Sequence, residues 1–352
     1  MSRLRYLLLI VLISCVPFGI HAQDNPDNLS TAERMLLVQA RKVDSVALGE
    51  RHWSVSEHHF LTTLLRDPQF PSVFPTVIVE FGNALYQKLL DKYLAGENIS
   101  KNELSKIWQD TTVPMAWDSP VYADFFETVR DVNHRLSIHK KIRVLLGDPP
   151  VDWAAVKDVT DFTPFMDRDA FYAKIMAQNC GRRRCLLICG TNHFYRKDPL
   201  ANLRPPSPHK NALEYYTAKT GTTRKLESVL PLYSEDATFL RYPLPSLIST
   251  HAPPLNTMPF GQVDRSPVMI LKKVDGETKA VEVRADDTLP VSDVFDWVLY
   301  LGKSETKSEP TASLYQNKAY VRELYRRSKI VGDAFGFDLT ADVKEIDPDA
   351  KH

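Results

Sequence analysis

Apolar residues in this chain follow two alternating patterns. Short unbroken runs, rich in β-branched residues, read as strands buried on both faces: Asp44–Leu48, Thr76–Phe81, Lys141–Asp148 and Cys185–Gly190. Between them, apolar positions recur at helical spacing. Ser30-Thr31-Ala32-Glu33 reads as a capping box that opens a helix to about Lys42. Ser54 or Ser56 caps the next helix, whose apolar face holds Phe60, Leu61, Leu64 and Leu65. A loop from Pro68 to Pro75 leads into the second strand. Ala84–Ala95 is helical and stops at Gly96; Ser100 and Glu103 bracket a second capping box, with a short helix through Trp108. Pro120 sits in the first turn of a helix to about Ile138, and Asp167–Asn179 turns Ala170, Ile175 and Met176 inward. Strand, helix, strand, helices, strand, helix, strand predicts an α/β fold: a parallel sheet with right-handed crossovers and flanking helices.

Beyond His209 the pattern loosens into an α+β extension. Asn211–Lys219 reads as a helix, Leu226–Tyr233 and Val268–Lys273 as strands, and Phe295–Leu301 as a further sheet strand. Pro243–Pro259 reads as a proline-rich loop, a lid or an insertion. Residues 23–302 are expected to form one α/β domain. Lys303–Pro310 reads as a polar linker, Ser313 to about Val331 as an amphipathic helix, and the tail after Asp338 as frayed, so that 303–352 is linker and C-terminal helix.

Composition changes this picture little. Hydrophobic content of 43% and charged content of 25% are ordinary for a globular chain, and 44 Lys+Arg balance 44 Asp+Glu. That balance gives no support to a nucleic-acid partner. The first residues do change it. Arg3 and Arg5 precede an apolar run from Tyr6 to Ile13, and Ile20-His21-Ala22 offers a cleavage site, so 1–22 is expected to be a signal peptide. Leu12-Ile13-Ser14-Cys15 also fits a lipobox, the alternative being a lipoprotein anchored through Cys15. No later segment is long and apolar enough to span a bilayer. Export to a periplasmic or extracellular space permits disulfides: Cys180 and Cys185 could close a small loop and leave Cys189 unpaired, or all three thiols could stay reduced.

The candidate chemistry lies where the strands end. The first strand runs into Gly49-Glu50-Arg51-His52, the second into Glu80, the third into Asp148 and the fourth into Thr191-Asn192-His193. In a parallel sheet these carboxyl ends lie along one edge and face a common crevice. His52 is a candidate general base oriented by Glu50, with His193 as acid or oxyanion partner and Glu80 in support. Glu50, His52, Glu80 and His193 could alternatively bind a divalent metal. Asp148, Arg168 and Tyr195 are candidate substrate-binding residues. His58 or His59, opening the next helix, could point back to Glu50, although a surface histidine is the default. Trp117 and Trp153 could wall the crevice. Neither Gly-x-Ser-x-Gly nor His-Glu-x-x-His occurs, which argues against a serine nucleophile and an ordinary zincin.

Taken in order, Gly49-Glu50-Arg51-His52, a helix with His58-His59, Val79-Glu80, Arg168-Asp169 with Met176-Ala177-Gln178-Asn179, and Gly190-Thr191-Asn192-His193 resemble the superfamily of erythromycin esterase, the Tiki proteases and ChaN-like haem-uptake proteins. The resemblance covers about residues 40–200, and the Gly-Glu-x-His spacing is nearer the ChaN and Tiki side. It implies a parallel α/β core with the site at the strand ends. Its esterase side implies water activation by residues matching Glu50, His52 and His193, its Tiki side a divalent-metal peptidase, and its ChaN side haem binding at the surface. Residues 201–352 match no branch. The expected function is an exported hydrolase acting on an ester, lactone or peptide bond of a small-molecule or peptide substrate. The alternative is a periplasmic haem- or metal-binding protein without turnover.

Overall fold

The computed structural model describes residues 30–351, apart from 204–209, 222–223, 267, 275–276 and 286–287. The expected signal peptide, the Cys15 lipobox and His209 lie outside the described residues. Nine strands form in chain order: β1 (Ser45–Glu50), β2 (Thr76–Asn83), β3 (Arg143–Asp148), β4 (Cys185–Gly190), β5 (Leu226–Tyr233), β6 (Ser246–Ser249), β7 (Val268–Val274), β8 (Glu277–Val283) and β9 (Trp297–Gly302). Seven build one sheet in the order β3-β2-β4-β1-β5-β9-β6, parallel throughout except for β6 at the edge; β7 and β8 make a separate antiparallel pair.

Every residue of β1 and β2 is buried, which explains their unbroken apolar runs. Successive side chains point to opposite faces. Val46, Leu48, Val77 and Val79 pack beneath the helices Val55–Arg66 and Pro120–Arg135, while Ala47, Ile78 and Leu187 pack beneath Arg168–Asn179 and Ala212–Thr220. The core is therefore two apolar layers, one on each side of the central sheet. Helix starts follow their capping chemistry. Ser54 accepts from Glu57 N–H, Ser119 from Val121 N–H ahead of Pro120, and Asp167 from Ala170 N–H. Each such cap stabilises its helix by about 1 kcal/mol.

The structure departs from the sequence reading at several points. The Ser30 side chain makes no cap bond to backbone; its hydroxyl turns to the Glu33 carboxylate, so no capping box forms there, whereas Asn211 and Glu214 do form one. The Pro243–Pro259 segment is no lid: it contains β6, an edge strand, where flanking prolines are tolerated. Helix Lys318–Phe335 starts later than Ser313, at the Asn317 cap, and the tail forms a helix over Thr340–Ile346 that fully buries Val343. Residues after β9 run back over the first strand end: Val55 N–H donates to Thr306 O at 2.9 Å and Ser308 N–H to Trp53 O at 2.8 Å. Among the described residues, no helix is long and apolar enough to cross a membrane.

Candidate active site

β1 and β4 are neighbours with Glu50 level with Gly190, so the two strand ends emerge side by side. Gly49 makes this approach possible, since a Cβ there would lie 2.6 Å from the Thr191 methyl. After Glu50 the chain turns sharply. Trp53 adopts a left-handed conformation (φ 69°), held by its indole N–H on Ala116 O at 2.8 Å and by its backbone N–H on the Tyr122 hydroxyl at 3.3 Å. A non-glycine residue in this region stores strain, and the surrounding bonds enforce it.

That turn presents the first group. The Glu50 carboxylate is almost fully buried and bonds His52 Nδ1 through Oε2. Its other oxygen, Oε1, accepts from Tyr122 OH at 3.0 Å and meets His58 Nε2 at 3.3 Å. Burial would raise the Glu50 carboxyl, but the two facing imidazoles hold it below the usual carboxylate range. Conversely, burial would lower His52, and the Glu50 charge overcomes it and raises the imidazole. The His52 ring is 44% exposed, so solvent tempers that pull. Its Nε2 has no partner among the described residues. Beneath them Glu57 accepts Arg51 N–H at 3.0 Å, and burial together with the Glu50 charge pushes its carboxyl well up.

The second group spans the ends of β2, β3 and β4. Arg168 opens its helix and donates Nη2 to Glu80 Oε1 at 2.6 Å and Nε to Asp148 Oδ1 at 3.1 Å. Glu80 Oε2 accepts Gly190 N–H at 2.7 Å. His193 Nε2 meets Glu80 Oε1 at 3.1 Å and its Nδ1 meets Asp169 Oδ1 at 2.6 Å. With carboxylates on both nitrogens, His193 is a cation: burial opposes the charge, but Glu80 and Asp169 raise it to about 10. Glu80 is buried yet held well below the usual range by His193 and Arg168. Asp148, held by Thr112 N–H at 2.8 Å and by its hydroxyl, is pushed up to about 6 by burial against the pull of Arg168.

Trp117 joins the two groups. Its ring stands edge-on to His52 at 5.8 Å and under the Arg168 guanidinium at 5.3 Å. The loop that carries Thr112 and Trp117 is clamped from outside by helix Lys318–Phe335 and by the short helix Ala312–Tyr315 before it. Tyr320 and Tyr315 donate to the Asp118 carboxyl at 2.7 and 3.0 Å, and Arg327 to Asp110 at 2.7 Å.

Glu50, His52, Glu80, Asp148, Arg168 and His193 therefore stand along one sheet edge, as two bonded groups. His58 points back to Glu50 and is buried, whereas His59 is exposed. Tyr195 is corrected. It is 4% exposed and packs against Phe260 and Phe295, because the short turn Thr191–Phe194 sends His193 into the crevice and its neighbours into cores beyond it. It neither lines the crevice nor offers haem an exposed phenol. Tyr122, Asp169 and Thr112 were not anticipated in these roles; Asp169 alone left a trace, as the partner in Arg168-Asp169. Cys180 and Cys185 form a disulfide and Cys189 is a buried free thiol.

Among the described residues, one set brings metal-ligand atoms within 4.8 Å of one another: Glu80, Cys189 and His193. It does not suit a divalent cation. Both His193 nitrogens face carboxylates, Arg168 already neutralises Glu80, and burial beside Glu80 keeps the Cys189 thiol protonated.

No family model matches the chain, and no curated protein matches it. Solved structures do. A Bacillus cereus protein matches 81% of this chain and 95% of its own at 12% identity, with a TM-score of 0.50. The erythromycin esterase EreC in its open conformation matches 78% and 94% at 10% identity (TM-score 0.45). ChaN of Campylobacter jejuni, described with cofacial haem binding, matches 58% and 87% at 15% identity (TM-score 0.37). The chain thus shares its α/β fold with the Bacillus cereus protein.

Proposed function

We propose that this protein is an exported hydrolase that activates water with the Glu50–His52 pair and cleaves an ester, lactone or peptide bond. One observation carries the reading: a half-exposed imidazole whose Nδ1 is fixed by a buried carboxylate and whose Nε2 is unengaged. Glu50 fixes the tautomer, so Nε2 is the nitrogen that takes a proton. In the reaction, His52 Nε2 removes a proton from water as the oxygen attacks the carbonyl carbon. The carbonyl π-pair moves to oxygen, where the Arg168 guanidinium, whose Nη1 has no protein partner among the described residues, offsets the charge. As the tetrahedral centre collapses, the imidazolium returns its proton to the departing alkoxide or amine. His193, a fixed cation, adds positive potential without moving a proton. The disulfide and the N-terminal apolar segment support an oxidising, exported location.

The test is hydrolysis of a panel of carboxylic esters, lactones and peptides by the purified chain and its His52→Ala variant. Turnover lost in His52→Ala with the fold intact supports the proposal. Absence of turnover across the panel, or turnover unchanged in the variant, overturns it. A Soret band from co-purified haem would favour the uptake reading instead.

A further inference from the structure

The opposite, amino-terminal edge of the sheet carries its own cluster of charge. A groove of about 650 Å³ opens there, lined by Thr76 and Arg143 at the starts of β2 and β3, by the end of helix Arg168–Asn179, and by Arg182, Arg183 and Arg224. A second groove of about 300 Å³ shares Arg182 and Arg183 and adds Arg184. Together they gather five guanidinium groups in a chain whose overall charge is zero. The 650 Å³ groove has no carboxylate in its lining, and Asp44 is the one acid in the other.

The bland account is that these arginines serve the fold, and for two of them it holds. Arg184 donates to Val43 O at 3.0 Å and Val73 O at 3.4 Å, and Arg224 donates to Cys180 O at the helix end. Arg143, Arg182 and Arg183 are exposed and have neither an ion pair nor a side-chain hydrogen bond among the described residues. Like charges that line one groove repel one another, and a bound anion relieves that repulsion. The loop that carries two of the three is closed by the Cys180–Cys185 disulfide, which fixes where the backbone of Arg182 and Arg183 stands relative to Arg143. Asn179, Gln178 and Thr76 add neutral polar groups to the same wall.

We propose that this arginine groove binds a phosphate-bearing ligand of at least two negative charges. Guanidinium forks match phosphate oxygens in pairs, and two or three of them select a dianion over a monoanion. The site is separate from the catalytic crevice, and its test is independent of the proposed hydrolysis. Two sources share this chemistry, a soluble phosphate compound and an anionic lipid headgroup.

The experiment titrates the purified full chain with inorganic pyrophosphate by calorimetry, and separately pellets it with vesicles containing cardiolipin, whose headgroup carries two phosphates, or of phosphatidylcholine alone. Saturable pyrophosphate binding identifies a soluble ligand. Sedimentation with cardiolipin vesicles but not with phosphatidylcholine identifies the lipid headgroup. In either case the triple variant Arg143→Gln, Arg182→Gln, Arg183→Gln binds at least about tenfold more weakly. All three side chains are exposed, so circular dichroism of the variant is expected to match the parent. Failure of both probes to bind, or binding undiminished in the triple variant, overturns the proposal.

Discussion

The two halves of the crevice hold similar residues to opposite ends. At the end of β1, Glu50 spends its buried oxygens on His52, His58 and Tyr122 and leaves one nitrogen of a half-exposed ring free. At the ends of β2, β3 and β4, each carboxylate of Glu80, Asp148 and Asp169 is matched to Arg168, His193 or backbone, and both His193 nitrogens are engaged. A histidine with spare bonding capacity can accept a proton during a reaction. One clamped between two carboxylates supplies a permanent charge. Geometry, more than residue type, separates reactant from framework.

The sharpest way to break this comparison is to remove the framework's cation. Arg168→Leu strands Glu80 and Asp148 in the interior, and urea unfolding is expected to show a loss of about 3–5 kcal/mol. His52→Ala is expected to cost activity more than stability: hydrolysis falls by roughly 10²–10⁴-fold, while unfolding stability falls by about 1–2 kcal/mol, because Glu50 Oε2 loses its imidazole whereas Oε1 keeps His58 and Tyr122. Equal stability losses in the two variants would erase the distinction.

Acid and alkali sharpen it. His193 is raised in the folded state from 6.5 to about 10, so its contribution to stability is complete below pH 6.5 and is lost as pH rises toward 10. Glu80 is depressed, so its contribution is present above pH 4.5 and is lost as pH falls through its lower folded value. Stability measured against pH is expected to fall on both sides, and His193→Gln is expected to flatten the alkaline limb and, because His193 also depresses Glu80, to shrink the acid limb. The smallest effect concerns the clamp on the Trp117 loop. Tyr320→Phe removes one hydrogen bond to buried Asp118 and is expected to cost about 1 kcal/mol, with a change in tryptophan emission if Trp117 shifts.

The fold was legible because buried parallel strands leave unmistakable apolar runs, and each run ended in the polar residue that now lines the edge. Glu50, His52, Glu80 and His193 could be read from those endings. Their partners could not. Tyr122 sits on an amphipathic helix among Phe125 and Phe126, where an aromatic residue reads as core, and most of it is core. Thr112 and Trp117 lie in a loop without periodicity, whose shape depends on contacts from Tyr315, Tyr320 and Arg327, some 200 residues away. Tyr195 follows His193 by two residues yet packs into another core, because nearness in sequence is not nearness in space. β6 was missed because Pro243 and Pro245 argue against a central strand and say nothing against an edge.

Nitrogen NMR of the histidine rings across pH, in the full chain and in Glu50→Gln, tests the division of roles without needing a substrate. His52 is expected to titrate reversibly above 6.5, with a midpoint that Glu50→Gln lowers, while His193 stays protonated until near pH 10 in both proteins. A His52 midpoint indifferent to Glu50→Gln, or a His193 that loses its proton near 6.5, would contradict it.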